Sequence, residues 1–184
     1  MRLFLGIPLT GPQQEKIISL YPGFKNVKPV KRENLHITLK FLGEISGDNT
    51  DKIKAAMASA CFGAERFVAR TCFFSAFPRE ERARIIWAGV DDKKGVLRKI
   101  YKRLEQELGK AGFEKDKRKF VPHITVGRAR RPAAIKNYLK KIRFDICIDA
   151  ESVVLFESDL KKEGAVYRPV YKEKFGCGAP GAGR

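Results

Sequence analysis

The only two histidines of this 184-residue chain stand in the same setting, His36-Ile37-Thr38-Leu39 and His123-Ile124-Thr125-Val126. A position matches a given common residue by chance in roughly one case in twenty, so finding both Ile and Thr behind each histidine is improbable at about the per-mille level unless the segments are related. Two related segments so far apart constrain the chain to a fold with internal two-fold symmetry, and the surrounding pattern agrees. Residues 35–41 alternate, with Leu35, Ile37, Leu39 and Phe41 on one face and His36, Thr38 and Lys40 on the other, as a half-buried strand does. A helix is expected at 50–61, where Ile53, Ala56, Met57 and Ala60 recur at helical spacing, followed by antiparallel strands at 67–77 and 84–90. The order then begins again, with a strand at 119–128 carrying the second motif, a helix at 132–142 opened by Pro132, and strands at 144–156 and 165–175. Strand 2–7 and helix 13–20 precede the first motif. The strongest helix, 94–111, carries an apolar stripe of Leu97, Ile100, Tyr101, Leu104 and Leu108.

A chain of this length supports one folding unit, either a compact body or two small lobes sharing a core. Residues 1–175 are expected to form it, and the small-residue stretch 176–184 to be a flexible tail. Cys61, Cys72, Cys147 and Cys177 are scattered without a C-x-x-C pair, so they are expected as reduced thiols rather than as a zinc or redox motif. The apolar opening is too short for a signal segment and no later run reaches membrane-spanning length, which predicts a soluble, cytoplasmic protein that contacts no membrane. Lys and Arg number 38 against 21 Asp and Glu, a formal charge of +17. That excess is more than solubility requires and points to a polyanionic partner, nucleic acid first.

Each motif places an imidazole and a hydroxyl side by side on the polar face of its strand. Imidazole titrates near neutrality, so one ring can take a proton from water while the other gives one to a departing oxygen. Threonine hydroxyls can donate to phosphoryl oxygens. A two-fold arrangement would set the two rings on opposite sides of one phosphorus, as in-line displacement of a phosphodiester requires. Arg128 follows three residues after Thr125; strict alternation turns it away from His123, but Gly127 offers a place for a bulge that re-aims it. Phe41 shares its face with Leu35, Ile37 and Leu39, which favours core packing over base stacking, and Tyr21, Trp87 and the other phenylalanines are likewise expected inside.

The paired motifs, the segment Glu33-Asn34-Leu35-His36-Ile37-Thr38-Leu39-Lys40-Phe41-Leu42-Gly43-Glu44, the opening Met1-Arg2-Leu3-Phe4, Pro122-His123-Ile124-Thr125-Val126-Gly127-Arg128 and Ala83-Arg84-Ile85-Ile86-Trp87-Ala88-Gly89-Val90 carry a resemblance. Over nearly all of its length the chain resembles the RNA 2′,3′-cyclic phosphodiesterase branch of the two-histidine phosphoesterases, relatives of the 2′-5′ RNA ligases. The resemblance implies an α+β, bilobal, pseudo-twofold fold, with an antiparallel sheet in each lobe, flanking helices and a central basic cleft. It implies hydrolysis of RNA 2′,3′-cyclic phosphate ends to 2′-phosphomonoesters without metal or other cofactor, with reversible 2′-5′ RNA ligation beside it, and RNA, including tRNA fragments, as partner of a monomer. By the same resemblance His36 is the acid and His123 the base, labels the residues themselves leave interchangeable, while Thr38, Thr125 and Arg128 hold the phosphate.

Two other readings fit parts of the sequence. A metal site would need ligands beyond two strand histidines, and no D-x-H or H-E-x-x-H pattern supplies them. The histidine-triad hydrolases need more histidines than the chain has. An RNA-binding module that holds a terminal phosphate without turnover would explain the basic surface, but it has no need of two titratable rings.

Overall fold

The computed structural model describes residues 1–24, 26–139, 142–161 and 164–176. Its strands are β1 (Arg2–Pro8), β2 (Val27–Pro29), β3 (His36–Glu44), β4 (Phe67–Phe77), β5 (Ala83–Asp91), β6 (His123–Ala133), β7 (Ile146–Ala150), β8 (Ser152–Lys161) and β9 (Gly164–Lys174). The helices are α1 (Gly11–Leu20), α2 (Thr50–Cys61), α3 (Val96–Lys110) and the short α4 (Lys136–Leu139). The strands lie in the order β7-β4-β5-β6-β3-β1-β8-β9, with β2 attached to β6, and every pairing is antiparallel.

The middle of that order is the two-fold axis. The strands β3 and β6 meet at a single register pair, Ile37 opposite Ile124, the matching residues of the two motifs. Outward from it, β1 stands where β5 does, β8 where β4 does, and β9 where β7 does. The two expected antiparallel sheets are thus halves of one sheet, joined by that one pair. The repeat begins one strand earlier than the motifs suggest: β1-α1-β3-α2-β4 is matched by β5-α3-β6-α4-β8. Each repeat also sends its last strand into the other half, because β4 lies beside β5 and β8 beside β1. Neither repeat closes its half alone.

The apolar face of the sheet packs against the helices. Ile37, Leu39, Ile124 and Val126 join one core with Ile53, Met57 and Ala60 of α2 and Leu97, Ile100, Leu104 and Leu108 of α3, all 2% exposed or less. Each of these side chains other than Ala60 contributes about 1.5–3 kcal/mol by leaving water. The opposite, polar face of β3 and β6 is left open.

Three expected elements differ. The strand expected at 144–156 breaks at Glu151 into β7 and β8, which go to opposite halves of the sheet. The helix expected at 132–142 shrinks to α4, because Ala133 still pairs with Ala83 and β6 continues through Pro132. The strand expected from residue 119 starts at His123, since Pro122 has no N–H to give a ladder and its carbonyl instead accepts from Val90 N at 3.1 Å. Gly176, the first residue of the expected tail, donates to the Ala64 carbonyl at 2.7 Å, while 177–184 lie outside the described residues. Cys61, Cys72 and Cys147 are free thiols, and Cys177 lies outside the described residues. No helix among the described residues is long and apolar enough to cross a membrane.

Candidate active site

His36 and His123 each open their strand, with Thr38 and Thr125 two residues further on. Both strands then bulge at the same two-fold-related place. Against β1, Thr38 faces Gly6 and Lys40 faces Leu5, which leaves Leu39 unpaired. Against β5, Thr125 faces Trp87 and Gly127 faces Ile86, which leaves Val126 unpaired. An extra residue reverses the alternation beyond it. In β3 this turns Lys40 inward, to 3% exposed, and Phe41 outward, to 59%. Both correct the strict alternation expected for this strand, which had Lys40 on the polar face and Phe41 in the core. Phe62 and Phe73, expected inside, are also exposed, whereas Trp87 is buried as expected. In β6 the bulge buries Gly127 and returns Arg128 to the open face. Only glycine fits at 127, where a Cβ would stand 2.6 Å from Tyr21 Oη and 2.9 Å from Val27 Cγ1.

The consequence is one cleft of about 470 Å³ lined by His36, Thr38, His123, Thr125 and Arg128 together. Phe77 and Ile85 stand on the β6 side, Phe41 and Tyr167 on the β3 side, and the segment before His123 brings Arg118 and Lys119.

The two rings are held in the same tautomer. Nδ1 of His36 lies 2.7 Å from the Asn34 carbonyl and Nδ1 of His123 lies 2.7 Å from the Val121 carbonyl, in each case two residues upstream. A carbonyl only accepts, so Nδ1 carries the proton and donates, and Nε2 is the nitrogen left for chemistry. The Thr38 hydroxyl, 2.9 Å away, donates to Nε2 of a neutral His36. Burial pushes the His36 imidazole down to about 4, against the upward pull of its Asn34 hydrogen bond, and the like charges of His123 and Arg128 press the same way. Burial also lowers His123, opposed by the Val121 hydrogen bond and reinforced by Arg128. Both rings are therefore neutral near pH 7 in the free cleft, beside a guanidinium. An anion bound between them would favour their protonation.

Aromatic side chains brace both rings at matching positions. Phe77, opposite Ile85, meets His123 edge-on at 5.2 Å, and Phe156, opposite Phe4, lies 6.0 Å from His36. Among the described residues no group of three or more His, Cys, Asp and Glu side chains is placed to hold a metal ion.

The model of a family described as the 2′-5′ RNA ligase superfamily matches residues 13–162. The chain belongs to that superfamily. A protein of Aeropyrum pernix named RNA 2′,3′-cyclic phosphodiesterase is 36% identical over 154 residues, covering 80% of this chain and 86% of its own. One of the same name from Methanocaldococcus jannaschii is 30% identical over 178 residues, 92% of this chain and 98% of its own. Among solved structures, one from Thermus thermophilus superposes with a TM-score of 0.81 at 26% identity, covering 95% of this chain and 98% of that one. Escherichia coli LigT complexed with 3′-AMP superposes with a TM-score of 0.75 at 22% identity over 96% of this chain and 98% of that one, a likeness of fold.

Several cleft residues of this superfamily member were not among those singled out from sequence. Tyr167, on β9, meets His36 edge-on at 5.3 Å but comes from a strand with no motif. Arg118 and Lys119 sit in the basic run just before the second motif, which was the available signal. Their segment is anchored from below. Lys40 donates to Glu105 of α3 at 2.5 Å and to the Glu114 carbonyl at 2.7 Å, and Glu105 in turn accepts from Asp116 N at 2.8 Å. Tyr101 of α3 stacks on Phe120 at 4.3 Å. The buried ion pair thus ties β3, α3 and the cleft's basic segment together.

Proposed function

We propose that this protein hydrolyses RNA 2′,3′-cyclic phosphate ends to 2′-phosphomonoesters with His36 and His123 as its acid–base pair. The observation that carries this is the cleft itself: two imidazoles, each with its Nδ1 committed to a backbone carbonyl, share it with two threonine hydroxyls and the guanidinium of Arg128. In the reaction one neutral Nε2 takes a proton from water as its oxygen bonds to phosphorus. The bond from phosphorus to the 3′ oxygen breaks, and the other ring, protonated, delivers its proton to that oxygen. The family resemblance gives His36 the second role. Thr38, Thr125 and Arg128 hold the phosphoryl oxygens, where the charge of the transition state is carried.

The proton bookkeeping follows from the cleft. Burial keeps both rings neutral when it is empty, so the acid acquires its proton as the phosphate anion enters. Protonating His36 at Nε2 removes the acceptor of the Thr38 hydroxyl, which is then free to donate to phosphate. Two imidazoles supply both proton transfers, so the reaction runs in chelator, and an RNA 5′ hydroxyl attacking in place of water, with the same bond to the 3′ oxygen broken, joins two strands through a 2′-5′ linkage. The substrates are strands so ended, tRNA fragments included, and residues 1–175 act as a monomer, since both rings come from one chain.

The test is incubation with an RNA oligonucleotide ending in a 2′,3′-cyclic phosphate in EDTA, with phosphorus NMR of the product, beside His36→Ala and His123→Ala. A 2′-phosphomonoester from the unaltered protein and a loss of at least about 10²-fold in each variant are expected. Binding without turnover would leave an RNA-binding module instead.

A further inference from the structure

A second concave site lies at the tip of the β4–β5 hairpin. Arg79, Arg82 and Arg84 converge there with Pro78 and Pro132 around a hollow of about 390 Å³. All three arginines are exposed, and none has an ion-pair partner within 4.0 Å among the described residues. The nearby acids are committed elsewhere: Glu80 accepts from the Ser75 hydroxyl at 3.0 Å, and Glu81 pairs with Lys136 at 2.7 Å. Glu81 also feels the charge of Arg79. The turn is held on its other side as well, where the Glu80 carbonyl accepts from Ile135 N at 2.9 Å. Three forked cations are thus set on a braced turn, none of them ion-paired with a carboxylate among the described residues.

The hollow and the cleft are built on the same hairpin. Phe77 and Ile85 line the cleft, and their chain neighbours Pro78 and Arg84 line the hollow. Along β6 the exposed Arg128, Arg130 and Arg131 lead from the cleft to Pro132. His123 faces Gly89 and Ala133 faces Ala83, so His123 stands six residues of β5, about 20 Å of strand, from the start of that strand at the hairpin tip. That spacing suits a polyanion that runs on from the cleft, not a single phosphate group. Arginine is the side chain whose planar fork matches phosphate oxygens.

We propose that Arg79, Arg82 and Arg84 bind backbone phosphates of the RNA strand upstream of its cyclic end. This rests on the cleft holding that end, and it makes the preferred substrate a strand long enough to reach the hairpin tip. The site carries affinity and length preference and takes no part in the chemistry.

The test compares the unaltered protein with Arg79→Ala/Arg82→Ala/Arg84→Ala on two readouts. The first is fluorescence anisotropy with a twelve-nucleotide RNA ending in a 3′-phosphate, over a series of salt concentrations. The second is kcat/KM on a mononucleoside 2′,3′-cyclic phosphate and on cyclic-ended strands of increasing length, with thermal melts to confirm folding. The variant is expected to bind the long RNA at least about ten-fold more weakly, and the slope of log affinity against log salt to flatten by about 2, near 0.7 for each lost contact to a single strand. Its activity on the mononucleoside substrate should be unchanged, and its rise in kcat/KM with strand length should disappear. Unchanged RNA affinity and salt slope would overturn the proposal, as would an equal loss on the mononucleoside substrate. If the unaltered protein turns over neither substrate, the hydrolase reading fails, while the anisotropy series still decides whether the arginines hold RNA.

Discussion

Replacing Gly6 by Ala tests how closely His36 must be positioned. Gly6 lies on β1 opposite Thr38, and an added Cβ would stand 3.0 Å from the Ile37 carbonyl oxygen, 3.1 Å from His36 Cδ2 and 3.7 Å from Phe156 Cε2. Ile37 cannot give way, because it is fully buried and forms the one pair that joins the halves of the sheet. The ring is the neighbour that can yield, by about 0.3 Å to reach ordinary contact at 3.4 Å, while the 3.0 Å contact to the Ile37 carbonyl stays as crowding. Its Nδ1 is tethered to the Asn34 carbonyl, so the displacement falls on Nε2. A misplacement of 1 Å costs about 10²-fold in rate; scaled in the exponent, this shift costs about four-fold in kcat, with KM nearly unchanged. Crowding costs about 1–3 kcal/mol of stability, offset in part by the 0.4–1 kcal/mol that alanine contributes by restricting the unfolded chain. A net loss of about 1 kcal/mol leaves the protein folded in the assay. Gly11→Ala is the control, since its Cβ meets nothing within 4 Å. Steady-state kinetics on a cyclic-ended RNA, beside urea denaturation, measures both quantities. A folded Gly6→Ala protein with full kcat, or an equal loss in Gly11→Ala, would refute the reasoning.

Three further outcomes are expected. Because the folded protein holds His36 near 4 while the unfolded chain leaves it near 6.5, the unfolded state binds more protons between those values. The stability this contributes is present above about 6.5 and is lost as the pH falls toward 4, on the order of 3 kcal/mol, so His36→Gln should flatten the pH dependence of urea denaturation in that window. Lys40→Met strands Glu105 as an unpaired buried charge and should cost about 3–5 kcal/mol by the same method, most of it regained in Lys40→Met/Glu105→Leu. Gly127→Ala drives a Cβ against Tyr21 and Val27 and should cost about 1–3 kcal/mol; because it disturbs the bulge that aims Arg128, KM for RNA should rise as well, where an effect confined to stability would count against that role for the bulge.

The centre of the fold was legible because it is a local repeat: two tetrapeptides carry the histidines, the threonines and the isoleucines that pair across the axis. What surrounds it was legible only where a residue announced itself. Gly127 marked the bulge in β6, whereas nothing in Leu39-Lys40 marks its counterpart in β3, and alternation therefore placed Lys40 and Phe41 on the wrong faces. The exchange of β4 and β8 between halves, the break at Glu151 and the approach of Tyr167 to His36 depend on contacts between distant segments, which no local pattern encodes.

The duplication nonetheless held the missing information. If the two motifs are equivalent, a bulge after Thr125 implies one after Thr38, Lys40 becomes the counterpart of Gly127, and Phe41 that of Arg128. The pairs then show what divergence has done within a symmetric frame. At one position an inward lysine, paired with Glu105, anchors the segment bearing Arg118 and Lys119, while its counterpart is a glycine that lets β2 and Tyr21 close against β6. At the next, an apolar ring and a guanidinium face the same cleft from opposite sides. Gly6 gives His36 its room where the matching Trp87 packs against His123 at 5.8 Å. Backbone symmetry gives the two imidazoles the same tautomer, and these unequal neighbours give them different surroundings. The proposed hydrolysis of a cyclic phosphate needs both properties, because in it one ring faces water and the other a ribose oxygen across a single phosphorus.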